Sequence, residues 1–529
     1  MDKYIEAVRI VCSENCEEVE NVFKALSPQA GFCKEDSFLI KAGGYILLDF
    51  GKEIHGCVLV TTLDTSIRPV LGRIVYGESV SEALSSIGEK NATNAHAIRD
   101  MKVEFMPWST SKFGETGFRF AKVEAIDGDI RVKTIKAVPD ILDIPKIGSF
   151  ECDDARLNRI WEVAAYTVQL NMHEYVWDGI KRDRLVWIGD MHPEVSTIRN
   201  VFGKTECVMR SLDFVRDETK PDEWMNSMPT YSMWWIIIHY DWFMHWGDFN
   251  YLKEQVPCAK TIVDMALSWI NSGYDCADFK TFVDWGSRYS VGELDGVKAI
   301  FCMGLDAASF IFEITGETEY CEKCKETVVK MRREAITTEG NKSMSALTVL
   351  SGRDKVIAQK VILDDSLAGI STFMGYYVLL AKAFLGDMNG ALNIIRDYWG
   401  AMLDLGATTF WEDFDMSWIE GSAPIDDIVP LGMKDIHGDF GKYCYEGFRH
   451  SLCHGWASGP ASFLMEKIGG IVILEPGCKK VKISPDLVGL NWIKISYPTP
   501  YGNIDISCNV IEGKKQMDVK APKEIQVIQ

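Results

Sequence analysis

Between Glu174 and Glu194 the chain reads Glu-Tyr-Val-Trp-Asp-Gly-Ile-Lys-Arg-Asp-Arg-Leu-Val-Trp-Ile-Gly-Asp-Met-His-Pro-Glu. Three carboxylates, Asp178, Asp183 and Asp190, stand among Lys181, Arg182, Arg184, Trp177 and Trp187. Indole faces stack on the apolar faces of pyranose rings, and carboxylates bind hydroxyls or move protons. A solvated loop with local ion pairs would explain the charges. It would not explain two tryptophans or the Trp-Ile-Gly-Asp turn. The residue types suit a sugar site.

The elements that must position this stretch fall into three zones. Up to about residue 145, short apolar-polar alternations recur between glycines. They include Tyr45–Gly51, Gly56–Val60, Arg73–Gly77, Phe118–Glu124 and Ile130–Ile135. Such a series predicts an antiparallel β-sandwich over residues 1–145. Pro139, Pro145 and Gly148 mark a linker. From 146 to 466 the apolar period becomes helical. Leu157, Ile160, Trp161, Ala164, Ala165 and Val168 form one stripe. Further stripes run over Met233–Trp246, Thr261–Ile270, Ala307–Ile314, Ala368–Phe384 and Ala391–Met402. Many helices without intervening strands predict a large all-α domain, naturally a toroid of helical hairpins whose loops converge at one end. From 467 to 529, Ile471–Leu474, Val481–Ser484, Trp492–Ser496, Ile504–Ser507 and Gln516–Val519 read as a small closing β-sheet.

Bulk properties narrow the function classes. The 529 residues exceed one ordinary core, so several domains are expected. A net charge of −20 repels phosphate backbones and argues against nucleic-acid binding. Sixteen Trp and eighteen Tyr suit a carbohydrate-active protein, although a large helical core would also take them. No apolar run reaches membrane-spanning length. Met1 to Cys12 carries Asp2, Lys3, Glu6 and Arg9 and lacks the features of a signal peptide. Fifteen scattered cysteines fit reduced thiols in a cytoplasmic protein. Cys321 and Cys324 lie at helical spacing, which favours packing over metal binding. No cofactor or metal is expected, and an exposed sandwich edge offers a route to a homodimer.

The chain resembles the glycoside hydrolase family 78 α-L-rhamnosidases. Lys181-Arg-Asp-Arg-Leu-Val-Trp-Ile-Gly-Asp190 is similar to that family's Arg-Asp-Glu-Arg-Leu-Gly-Trp-x-Gly-Asp. Gly148–Trp161 looks like the family's approach to its barrel, and Leu48–Gly51 and Gly117–Phe120 like its preceding β-domain. Phe282–Trp285, Gly406–Glu412 and Ser451–Trp456 resemble later site loops, and Tyr497–Gly502 the closing β-domain. The resemblance implies an (α/α)6 barrel between two β-domains. It also implies release of terminal α-L-rhamnose by an inverting acid/base mechanism on a small carbohydrate substrate.

On this alignment Asp183 takes the position of the family's glutamate acid, one methylene shorter, and Glu412 that of its base. Asp178, Arg182 and Asp190 would hold sugar hydroxyls, Trp187, Trp285 and Trp411 would wall the pocket, and His454 would contact sugar or water. Bland alternatives stand beside each. Asp183 could pair with Arg182 or Arg184, and Asp190 could cap the next helix. Trp285 could be core, and His454 a satisfied core histidine. Glu174 is a substitute acid, while His437 and His450 read as structural. Two other functions remain open: a sugar-binding relative without a competent acid, and an (α/α)6 enzyme for another terminal sugar.

Overall fold

The computed structural model describes residues 4–24, 27–274, 281–288, 292–336, 340–353 and 356–529. Cys276 and the charges at Asp2 and Lys3 lie outside them.

The N-terminal zone is one seven-stranded antiparallel sheet. Its order is Ile5–Glu6, Ile130–Pro139, Phe38–Thr65, Ser109–Ala125, Val70–Gly77, Asp100–Phe105, with Arg9–Glu17 also paired to Phe38–Thr65. The segments read separately as Tyr45–Gly51 and Gly56–Val60 belong to that single 28-residue strand. Register shifts between Asp49 and Ile54, and between Gly56 and Val58, absorb the interruption. The sheet folds back on itself, so that Val132 has Phe38 on one side and Thr62 on the other. The two expected layers are therefore halves of one sheet. They enclose a core that includes Ile46, Leu48, Val58, Ile74, Phe118 and Val123.

The helical zone begins at Ala155–Asn171, capped by Asp154, whose carboxylate accepts from the Arg156 and Leu157 amides. Capping recurs at Asp248 for Phe249–Asn271 and at Asp387 for Met388–Ile394. The stripe at Met233 extends back to Pro229, which opens the helix Pro229–Trp246. The stripe at Ala368 becomes helix only at Met374. Gly369 has φ +75°, and the Ser371 hydroxyl accepts the Met374 amide, so the chain turns before it coils.

Two sheets close the chain. Ile471–Glu475, Lys480–Ile483 and Gln526–Ile528 form one. Lys514–Lys520, Ile504–Ile511, Trp492–Tyr497 and Ser149–Cys152 form the other. The last strand precedes the first long helix and lies in the span 146–466, so the sequence boundary at 467 divides what the sheet joins. Phe150 and Cys152 face inward and are buried, which is why this short strand docks there.

Candidate active site

The loop from Met172 to Asp190 leaves one long helix and enters the next, Met191–Val201. Asp178 folds it. Its carboxylate accepts the Leu185 amide at 2.9 Å, and its own amide donates to the Leu185 carbonyl. The Asp178 carbonyl accepts the Gly455 amide and the His454 Nδ1 proton, tying the loop to residues 454–455. At the tip, Asp183 and Arg184 have φ of 59° and 53°. Each non-glycine residue in that region costs about 1–2 kcal/mol. The strained tip turns Asp183 toward a cavity of about 240 Å³.

Asp178, Arg182, Asp183, Trp187, Asp190, Trp285, Glu412 and His454 line this cavity. Arg182 stands between the two candidate catalytic carboxylates. Its Nη1 lies 3.1 Å from Asp183 Oδ1, its Nη2 donates to Glu412 Oε1, and its Nε donates to the Arg449 carbonyl. Asp183 and Glu412 are thus held apart across one guanidinium fork. Glu412 Oε2 accepts the Ser451 amide at 3.1 Å. Asp183 pairs with Arg182 as the bland reading allowed, but Arg184 turns away to Glu115. The second partner of Asp183 is His96, in the turn before the strand Asp100–Phe105 of the N-terminal sheet, with Nε2 at 3.2 Å.

Deeper in, Asp190 begins the helix Met191–Val201 but its side chain caps nothing. It accepts the Tyr231 hydroxyl at 2.7 Å. Burial pushes the Asp190 carboxyl well above its usual range; the Tyr231 hydrogen bond opposes the shift, and nearby carboxylates add to it. Burial does the same to Asp178, reinforced by Asp183 and Asp190. His454 is driven the other way by burial and by Arg182, so it is a neutral imidazole. With Nδ1 donating to the Asp178 carbonyl, its Nε2 carries the lone pair. That nitrogen lies 3.8 Å from Asp190 and 3.9 Å from Glu412. Two buried acids beside an accepting nitrogen and two further carboxylates form a donor and acceptor array for several hydroxyls.

Trp411 corrects the expected wall. It is 1 % exposed and packs edge-on to Phe414 in the helical core. Trp456 lines the cavity instead, stacked on Phe373, with its Nε1 donating to the Glu412 carbonyl. Trp285 lines the cavity and stacks on Tyr443. Glu174 lies elsewhere, paired with Arg210 at 3.6 Å on the surface. Sequence reasoning missed Asn226, Met228, Tyr231, Phe282, Arg288, Cys444 and Trp456 as lining residues. Trp456 and Phe282 stand inside the site segments Ser451–Trp456 and Phe282–Trp285. Tyr231 lay hidden in a helix that is apolar on every face, where no periodicity marks an inward hydroxyl.

Two groups among the described residues have metal-ligand types in reach, His55–Asp140–His173 and Glu78–Glu82–His437, and neither lines the cavity. The Lys181 ammonium already lies 2.9 Å from Glu78 and 3.2 Å from Glu82.

Residues 145–323 match the bacterial alpha-L-rhamnosidase 6 hairpin glycosidase domain, and residues 470–527 the bacterial alpha-L-rhamnosidase C-terminal domain. An alpha-L-rhamnosidase of Formosa agariphila is 21% identical, with 90% of this chain and 54% of that protein covered. The chain thus spans about half the length of this curated relative. Among solved structures, the fold is similar to that of a family 78 rhamnosidase of Bacillus sp. GL1. There the TM-score is 0.77 at 20% identity, with 96% of this chain and 55% of that one covered. It is also similar to a Klebsiella oxytoca rhamnosidase solved with rhamnose bound. That match has TM-score 0.69 at 17% identity, covering 87% and 95%.

Proposed function

We propose that the chain, which matches bacterial α-L-rhamnosidase domains over residues 145–323 and 470–527, is an α-L-rhamnosidase of glycoside hydrolase family 78 that releases terminal α-L-rhamnose from small glycosides with inversion. The observation that carries this reading is the shared cavity: two carboxylates across Arg182, two buried acids, a neutral histidine and tryptophan walls. Glu412 is the base that activates water, and Asp183 is the acid that protonates the leaving oxygen. A carboxyl pair separated by a guanidinium fits the wider spacing of inverting enzymes, about 6.5–9.5 Å, better than a contact pair. Asp178, Asp190 and His454 bind ring hydroxyls, while Trp187, Trp285 and Trp456 cover apolar ring faces.

One observation favours a second reading. Arg182 and His96 both face Asp183 Oδ1, so that oxygen is engaged by protein groups rather than turned free toward a leaving oxygen. A sugar-binding protein with slow turnover would look this way. A panel of nitrophenyl glycosides headed by the α-L-rhamnoside separates the readings. Rhamnose should be released with inverted anomeric configuration in the first proton NMR spectra. Asp183→Asn should cost about 10²–10⁴-fold on a natural disaccharide and much less on the activated aryl glycoside. Retention of configuration, or an unchanged disaccharide rate, would refute the pair.

We assign the protein to the cytoplasm. The described cysteines are free thiols, which a reducing compartment would keep so. Thiol titration under denaturing, non-reducing conditions should recover nearly all fifteen. Two copies would pair along a sheet edge, which a sedimentation mass reads directly.

A further inference from the structure

Glu78 follows the strand Val70–Gly77 and is fully buried. It belongs to the N-terminal zone, yet its carboxylate faces the helical domain. Its Oε2 accepts the Leu452 amide at 2.6 Å and lies 2.9 Å from Lys181 Nζ. Its Oε1 accepts the Ser451 hydroxyl at 3.3 Å. Lys181 spans the same gap, donating to the Phe448 and His450 carbonyls at 3.0 and 2.6 Å.

These contacts meet at Glu412. One of its oxygens is held by the Ser451 amide and the other by Arg182, the residue after Lys181. The Glu412 amide also donates to the Ser451 carbonyl. Both supports of the candidate base therefore trace to one buried carboxylate. We propose that Glu78 is a positioning residue that fixes Ser451 and, through Lys181, Arg182, so that Glu412 is aimed at the cavity. The inference rests on the hydrolase reading above.

The charge balance around Glu78 explains why a carboxylate is used. Facing it are Lys181, Glu82, Glu53 and, beyond Glu82, Arg99 and His437. Burial raises the Glu78 carboxyl, and Lys181 opposes that rise. Burial also lowers His437 far below its usual range, leaving it neutral. Lys181 is thus the cation that meets Glu78 directly, while Arg99 faces Glu82 from the other side. Its ammonium cannot leave without stranding buried carboxylates, so the segment carrying Arg182 is anchored.

The test uses the full chain and 4-nitrophenyl α-L-rhamnoside, with rhamnose binding followed by calorimetry. Glu78→Gln keeps an acceptor for the Leu452 amide but removes the charge facing Lys181. It should lower kcat about 10–100-fold, as a small misplacement of a catalytic group does, with KM and rhamnose affinity within about threefold. Glu78→Asp should recover part of kcat. Lys181→Met should lower kcat similarly, and the double variant Glu78→Gln/Lys181→Met should be no worse than the poorer single one, because the two act as one unit. An unchanged kcat in folded Glu78→Gln overturns the inference. Parallel loss of kcat, rhamnose binding and melting temperature also overturns it, because that marks a merely structural role. A wild-type protein that cleaves no rhamnoside removes the hydrolase reading and this inference together. An active wild type with an indifferent Glu78→Gln removes only this one.

Discussion

The two β-regions meet the helical domain in opposite ways. The C-terminal sheets share its apolar core: Val481, Ile483, Ile493, Ile495, Tyr497, Ile504 and Ile506 join one continuous cluster with the helices. The N-terminal sheet keeps its own core and reaches the helical domain through polar groups. Glu78 and Lys181, Arg119 and the Gly406 carbonyl, the Glu53 amide and Thr408, and His96 and Asp183 all cross that seam. An apolar seam tolerates small slips because dispersion and burial are non-directional. A seam of directed hydrogen bonds and charges fixes position. The difference teaches that the C-terminal sheets act on stability, and the N-terminal sheet on the geometry of the loops around the cavity.

The largest expected effect tests the apolar seam. Ile495 is 2 % exposed, and its Cδ1 lies against Gly469 at the end of the helical domain. Ile495→Ala should cost about 2–5 kcal/mol of stability in denaturant titrations. Rhamnoside turnover per folded molecule should not change. A selective fall in kcat at full folding would break the comparison, because both seams would then reach the site.

The polar seam should answer to pH where the apolar one does not. Asp413 follows Glu412 on the segment that begins at Thr408, which accepts from the Glu53 amide. Burial, with the nearby Asp284 charge, pushes the Asp413 carboxyl from 3.8 to about 7. A raised folded value means that its stabilising contribution is full below 3.8 and is lost as pH rises through about 7. Asp413→Asn stays neutral throughout. Its melting temperature should gain on that of the wild type between about pH 4 and pH 8. Each tenfold change in proton affinity between the folded and unfolded chain is worth about 1.4 kcal/mol, and partial exposure keeps the gain on the order of 1–3 kcal/mol. A variant-minus-wild-type difference that stays constant, or falls, as pH rises would show that Asp413 is ionised at little cost.

How much of this was legible in the sequence depended on range. Strand alternation and helical stripes are local, and they located most elements. Arg9–Glu17 and Asp100–Phe105 escaped because their polar outer faces blur the alternation. The site loops were legible because Asp178, Asp183 and Asp190 lie close together in one loop with Trp187. The supports were not. Glu78 lies 373 positions from Ser451, and His96 lies in a turn with no pattern around it. A buried carboxylate on a strand end looks like any surface glutamate until the fold supplies its partners.

Trp411 gives the smallest predicted effect and the sharpest statement of that limit. It is the immediate neighbour of Glu412, so one segment sends alternate side chains to the core and to the cavity. The family resemblance implied a sugar-stacking wall, but the indole is buried against Phe414. Among the described residues its Nε1 has no hydrogen-bond partner, so exchange for phenylalanine forfeits volume and no bond there. Trp411→Phe should therefore lower stability by about 1 kcal/mol or somewhat more through the gap it leaves. KM for the aryl rhamnoside should stay within about twofold of the wild type. Trp456→Phe is the matched control. It loses the bond from Nε1 to the Glu412 carbonyl and alters the cavity wall, and it should raise KM and lower kcat together. If Trp411→Phe instead raises KM while Trp456→Phe does not, the wall lies on the Trp411 side and the orientation of the whole 408–413 segment has been misassigned.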